Sequence, residues 1–139
     1  MGDSSFNTLW EALAILVALR LWLPGTQVMA RVRSDSLAAL RSIVKLQSAS
    51  ANLNAIAREI ALDATLGLYR IGVAVHIPGI SNKLPDDLSR MWAPEPHAMP
   101  AELRQVPQHA VPDMGHGFWK AAQPRRRGGR AQAKRQRAH

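Results

Sequence analysis

With 139 residues, 47% of them hydrophobic, the chain has material for one modest domain and excludes a large multidomain architecture. The absence of cysteine excludes disulfides and thiolate metal sites. The formal net charge of +8 is concentrated at one end: residues 1–119 hold ten Lys/Arg and ten Asp/Glu, while residues 120–139 hold eight Lys/Arg and no acid.

The first apolar run, LWEALAILVALRLWL (9–23), is only 15 residues long and contains Glu11 and Arg20. A membrane span needs roughly 20 mostly apolar residues. No Lys or Arg precedes Arg20, so the basic start of a signal peptide is also missing. The run is predicted to be a buried helix over 5–23, capped by Ser4, Ser5 or Asn7 and stopped by Pro24 and Gly25. Its apolar residues run nearly all the way round, which predicts cover on more than one side.

QVMARVRSD (27–35) alternates Val28, Ala30 and Val32 against Met29, Arg31 and Arg33, the period of a strand. Ser34 or Asp35 is placed to open a helix over 36–46, with Leu37, Leu40, Val44 and Ile43 as its apolar positions. A third helix is predicted at 53–68 after the break SASAN. A second strand follows at 69–77, YRIGVAVHI, and a short helix over 86–92. This order is an α/β pattern and favours two parallel strands joined by a right-handed crossover. After Trp92 the composition changes. Residues 93–117 contain five prolines and no periodic apolar face, and the remainder is Arg/Gly/Gln-rich. Neither stretch can bury enough surface to offset its chain entropy, so both are predicted to be disordered. The expected organisation is a folded unit over 1–92, a Pro-rich linker over 93–119 and a basic tail over 120–139.

Three acids have apolar or strand-terminal surroundings: Glu11, Asp35 and Asp86. Asp35 follows the carboxyl end of the first strand and Asp86 lies beyond the end of the second. Open α/β sheets gather ligands at that edge. Glu11, near the start of its helix, can face the same place. Carboxylates meeting there repel one another unless a cation lies between them, and all-oxygen donors favour magnesium or manganese. Each residue also has a plainer use. Glu11 serves as a helix-start acid, Asp35 as an N-cap, His76 as a strand-end histidine, and Asn82 and Asp86 as turn and cap residues. Glu59 and Asp63 of the third helix are expected on a solvated face, and the histidines at 97, 109, 116 and 139 are too scattered for a zinc site.

Three segments, in order, resemble the ribonuclease H family. TLWEALAILVAL resembles that fold's first helix, where a metal-binding Glu sits in an apolar run. VRSDSLAAL resembles its fourth strand and the following Asp-Ser turn. VHIPGISNKLPDDLSR is similar to its fifth strand and closing turn, in the form found in reverse transcriptases of LTR- or DIRS-like retroelements. The resemblance covers about residues 4–92 and implies a partial ribonuclease H-like fold from an N-terminally truncated domain. It implies Glu11, Asp35 and Asp86 as magnesium or manganese ligands, and His76 as an aid to proton transfer or product release. Asn82 and Ser36 become substrate contacts, and Asp87 an ordinary first-turn helix acid. The implied parent activity is metal-dependent cleavage of RNA in RNA–DNA hybrids, within a reverse transcriptase polyprotein. The family places three strands, the first bearing a further metal-binding Asp, ahead of that helix. No counterpart is found here, so this chain is expected to be inactive by itself, with an unpaired edge on its first strand.

The tail supports a different reading, a non-catalytic nucleic-acid-binding protein. Arg125, Arg126, Arg127, Arg130, Lys134, Arg135 and Arg137 form the kind of segment that binds phosphate backbones by counterion release, or serves as a nuclear import signal. Only Phe118 and Trp119 stand near it for base stacking. No membrane partner is expected, and the compartment is read only as intracellular.

Overall fold

Parallel strands cannot be joined by a tight turn and need a crossover of a dozen or more residues, usually helical. That requirement organises this chain, whose computed structural model describes residues 4–23, 25, 27–115 and 117–121. β1 (Met29–Ser34) and β2 (Arg70–His76) pair in parallel, and the crossover between them is α2 (Leu37–Lys45) followed by α3 (Ala51–Thr65). α1 (Ser4–Trp22) precedes the sheet and α4 (Lys83–Ser89) follows it, with short 3-10 turns at Gly79–Ser81 and Ala101–Leu103. The α/β expectation therefore holds as four helices and a two-stranded parallel sheet among the described residues. No helix there is long and apolar enough to cross a membrane.

The predicted alternation of β1 is realised: Ala30, Val32 and Ser34 are buried, while Met29, Arg31 and Arg33 are exposed. The register runs from Met29 opposite Arg70 to Ser34 opposite His76, with one irregularity between Ala30 and Arg31 that skips Gly72. A Cβ on Gly72 would come 2.7 Å from the Met29 side-chain terminus, so glycine leaves room for Met29 to lie over the irregularity. The core is built by Ala12, Leu16 and Leu19 of α1, Ala30 and Val32 of β1, Ala39, Leu40 and Ile43 of α2, and Ile56 and Ile60 of α3, with Tyr69 and Phe118.

Several boundaries and faces differ from expectation. α2 buries Ala39, Leu40 and Ile43, whereas Leu37 and Val44 are exposed at 44% and 56%. α3 stops at Thr65 instead of running to 68, because Gly67 takes the left-handed conformation (φ 71). Gly67 N–H then donates to Ala64 O and Leu68 N–H to Asp63 O, a complete Schellman closure. α4 begins at Lys83 instead of Asp86, which puts Pro85 in its first turn, where no intrahelical N–H partner is lost. α1 is covered on one side by α2 and α3. Its other apolar side, with Trp10 and Trp22 about 60% exposed, faces the free edge of β1 across a cleft.

The composition break at Trp92 conceals a return of the chain to the core. Phe118 is 7% exposed and joins the main apolar cluster, with Trp119 packed against it edge-on. Lys120 and Ala121, assigned by composition to the tail, are instead bound to α3, as described below.

Candidate functional site

The carboxyl end of β1 brings α1, α2 and β2 to one point. Ser34, the last residue of β1, is 4% exposed and donates its hydroxyl to Glu11 Oε2 at 2.8 Å. Ser34 Oγ in turn accepts from Ser36 N–H at 3.0 Å. Ser36 is the N-cap of α2, accepting from Ala39 N–H at 3.3 Å, so neither Ser34 nor Asp35 caps this helix. Asp35 is released from capping, and its buried Oδ1 has no hydrogen-bond partner.

Glu11 feels this arrangement directly. Burial pushes its carboxyl above the ordinary value, the Ser34 hydroxyl pulls it back, and the neighbouring Asp35 carboxylate raises it again. Two carboxylates have thus been brought together at a strand end with one oxygen left unpartnered. Buried acids are normally paired or hydrogen-bonded, and an orphan oxygen calls for a ligand or a compensating charge.

The turn after β2 closes over this pair. Ile77 N–H continues the ladder onto Ser34 O at 3.0 Å, and His76 Nε2 lies 3.1 Å from the Asp35 carbonyl oxygen. The turn lies against the carboxylate: a Cβ on Gly79 would stand 3.6 Å from Asp35 Oδ2, an ordinary van der Waals contact. Asn82 is 9% exposed and lines, with Glu11, Asp35 and Asp86, a cleft of about 1140 Å³. Asp86 shares the cleft without joining the pair: Arg90 Nε donates to its Oδ1 at 3.0 Å, and its side chain is 45% exposed. The neighbouring Asp87 receives Lys83 Nζ at 2.6 Å and contacts His97 Nδ1 at 3.0 Å.

Among the described residues no set of three His, Cys, Asp or Glu side chains is assembled as a metal cage. The unpartnered Asp35 oxygen beside Glu11 fits one hard cation at two carboxylates. Asp86 does not complete the set while it is bound to Arg90. Residues Arg125, Arg126, Arg127, Arg130, Lys134, Arg135 and Arg137 lie outside the described residues.

A second polar cluster contradicts the expectation for α3. Glu59 and Asp63, predicted to be solvated, are 1% and 0% exposed. Arg20 of α1 donates from Nε to Asp63 Oδ2 at 2.6 Å and from Nη2 to Glu59 Oε2 at 2.7 Å. Tyr69 donates its hydroxyl to Asp63 at 2.7 Å, and Lys120 Nζ donates to it at 2.9 Å. Lys120 and Ala121 donate their backbone N–H groups to Glu59, while Arg20 Nη1 donates to the Phe118 carbonyl. Burial alone pushes Asp63 upward, but the bonds from Arg20, Tyr69 and Lys120 and the Arg20 charge leave it below its ordinary value. The cluster is charge-balanced and satisfied, so its role is structural: it clasps residues 118–121 to α1 and α3.

Comparison with protein-family models, curated proteins and solved structures gave no match. Fold and site therefore define the class: an α/β protein with a two-stranded parallel sheet and a carboxylate pair at the sheet's carboxyl edge.

Proposed function

We propose that residues 4–92 derive from the ribonuclease H domain of a retroelement reverse transcriptase, and that Glu11 and Asp35 are its retained divalent-cation ligands. The observation that carries this reading is the junction at the end of β1, where Ser34 holds Glu11 beside an Asp35 oxygen with no partner. The order of helix, strand, crossover, strand and closing turn supports it further.

Magnesium or manganese, when bound at such a pair, supplies Lewis acidity and charge neutralisation for phosphodiester hydrolysis. The chain's own residues divide the remaining work. Ser34 fixes the Glu11 carboxylate, and the Ser36 N–H fixes Ser34 in turn. His76 stands at the rim beside the Asp35 carbonyl, where an imidazole can carry a proton to or from a leaving oxygen. Asn82 and Ser36 are the proposed substrate contacts, and Asp86 joins the ligands only by releasing Arg90.

The strand-borne Asp of the parent family has no counterpart in the 139 residues, so the chain is proposed to be inactive alone. The test is to fuse a three-stranded segment bearing that Asp ahead of Ser4 and to assay a labelled RNA–DNA hybrid in magnesium. The fusion is expected to cut the RNA strand, with Glu11→Gln and Asp35→Asn abolishing cutting. A fusion that folds, shown by circular dichroism, yet cuts nothing overturns the reading.

A second reading, non-catalytic nucleic-acid binding through the basic tail, is favoured by seven Lys/Arg without an acid over residues 122–139, Lys120 being held by Asp63. Replacing its arginines by Gln should weaken binding at low salt, and unchanged affinity would exclude it.

A further inference from the structure

We infer that the outward face of the β1–β2 sheet is a nucleic-acid backbone surface on which Arg31, Arg33 and Arg70 bind phosphates. Side chains alternate across a strand, and residues paired in a parallel ladder share a face. Burial of Ala30, Val32 and Ser34 therefore turns Met29, Arg31 and Arg33 outward. Their register partners Arg70, Val73 and Val75 stand beside them, Arg70 next to Met29. All three arginines are exposed.

Their charge is unspent. Arg20 and Arg90 are tied to carboxylates, but among the described residues no acid forms an ion pair with Arg31, Arg33 or Arg70. No acid occupies an outward position on either strand. A merely solubilising face would be served by either sign, whereas this one carries three cations of a single type. Guanidinium forks suit the bidentate geometry of phosphate. Arg31 and Arg33 occupy successive outward positions, roughly 6.6 Å apart along the strand. A second copy docked on this face would set three cations against three, so self-association is disfavoured.

β1 runs from these arginines to the Glu11–Asp35 pair with Ser34 alone between Arg33 and Asp35. The direction of the track toward a phosphodiester-cleaving rim rests on the nuclease reading. The affinity of the face does not.

The test uses the full chain and a short labelled RNA–DNA hybrid, titrated in EDTA across roughly 50 to 200 mM salt, the range in which phosphate contacts weaken steeply. The triple variant Arg31→Gln/Arg33→Gln/Arg70→Gln is compared with a charge-matched control, Arg41→Gln/Arg58→Gln/Arg104→Gln, drawn from exposed positions elsewhere. The sheet-face variant should lose at least about tenfold in affinity, and its log–log salt slope should fall by about 2 to 3. The control should keep its slope within about 1 of wild type.

Equal losses in the two triples mean a net-charge effect and overturn the proposal, as does an unchanged sheet-face variant. Loss of binding to phosphatidylserine vesicles with hybrid binding intact assigns the face to a membrane surface and also overturns it. Because EDTA removes divalent cations, failure of the Glu11–Asp35 reading leaves this measurement unaffected.

Discussion

Replacing Arg20 by methionine keeps an apolar stem and removes the guanidinium that joins α1 to α3. The carboxylates left behind are almost inaccessible: the side chains of Asp63 and Glu59 are 0% and 2% exposed. Removing one partner of a buried ion pair costs about 3–5 kcal/mol, because the other charge stays desolvated. Here each acid keeps other donors, Tyr69 and Lys120 for Asp63 and two backbone N–H groups for Glu59, so the lower end applies. A loss of about 3 kcal/mol corresponds to a fall in Tm of roughly 12 °C for a domain of this size. The assay is thermal unfolding followed by circular dichroism at neutral pH. Adding Glu59→Gln and Asp63→Asn to Arg20→Met should recover much of the loss, since the uncompensated charge is then gone. A single variant melting within about 2 °C of wild type would refute the buried-clasp reasoning.

Other outcomes follow from the same contacts. Phe118→Ala removes a core ring that also lies 4.7 Å from the Arg20 guanidinium, and should cost about 3 kcal/mol by chemical denaturation. Asp63 has a folded pKa below its ordinary value of 3.8, so its stabilising contribution is complete above 3.8. That contribution should disappear as pH falls through the lower folded value, and Asp63→Asn should remove this acid-sensitive part of the Tm profile. Glu11 has the opposite sign. Its folded pKa lies above 4.5, so the protonated form is the one favoured by folding. Wild type should lose stability as pH rises above 4.5 through the raised value, whereas Glu11→Gln should not, leaving that variant the more stable at neutral pH without divalent cations.

The fold was largely legible because its signals are local. The alternation in MARVRS fixes which side of β1 is buried, whereas a third helix running to 68 overlooks the stop at Gly67. What escaped the sequence reading was long-range pairing. Glu59 and Asp63 occupy the same α3 face as Ile56 and Ile60, at spacings of three and four residues, and Arg20 shares the α1 face of Leu16 and Leu19. Opposite charges set into two apolar stripes are a readable sign of a buried pair, which equating charge with solvent overlooks. Phe118 was missed because Pro-rich composition says nothing about where a chain returns. At the candidate site, Glu11 and Asp35 are brought together and Asp86 is not. The Ser34 bridge and the release of Asp35 from capping are not fixed by local sequence, because Ser34, Asp35 and Ser36 are each able to cap α2. Asp86 was expected among the ligands by resemblance, while its neighbour Arg90, one helical turn on, claims it in the structure.

The most direct measurement is a calorimetric titration of the chain with manganese at low ionic strength, alongside Glu11→Gln, Asp35→Asn and Asp86→Asn. One saturable site is predicted for wild type, absent in the Glu11 and Asp35 variants and retained in the Asp86 variant. Heats that are the same in wild type and Asp35→Asn, or no saturable binding in wild type, would contradict the assignment of the β1 rim as a cation site.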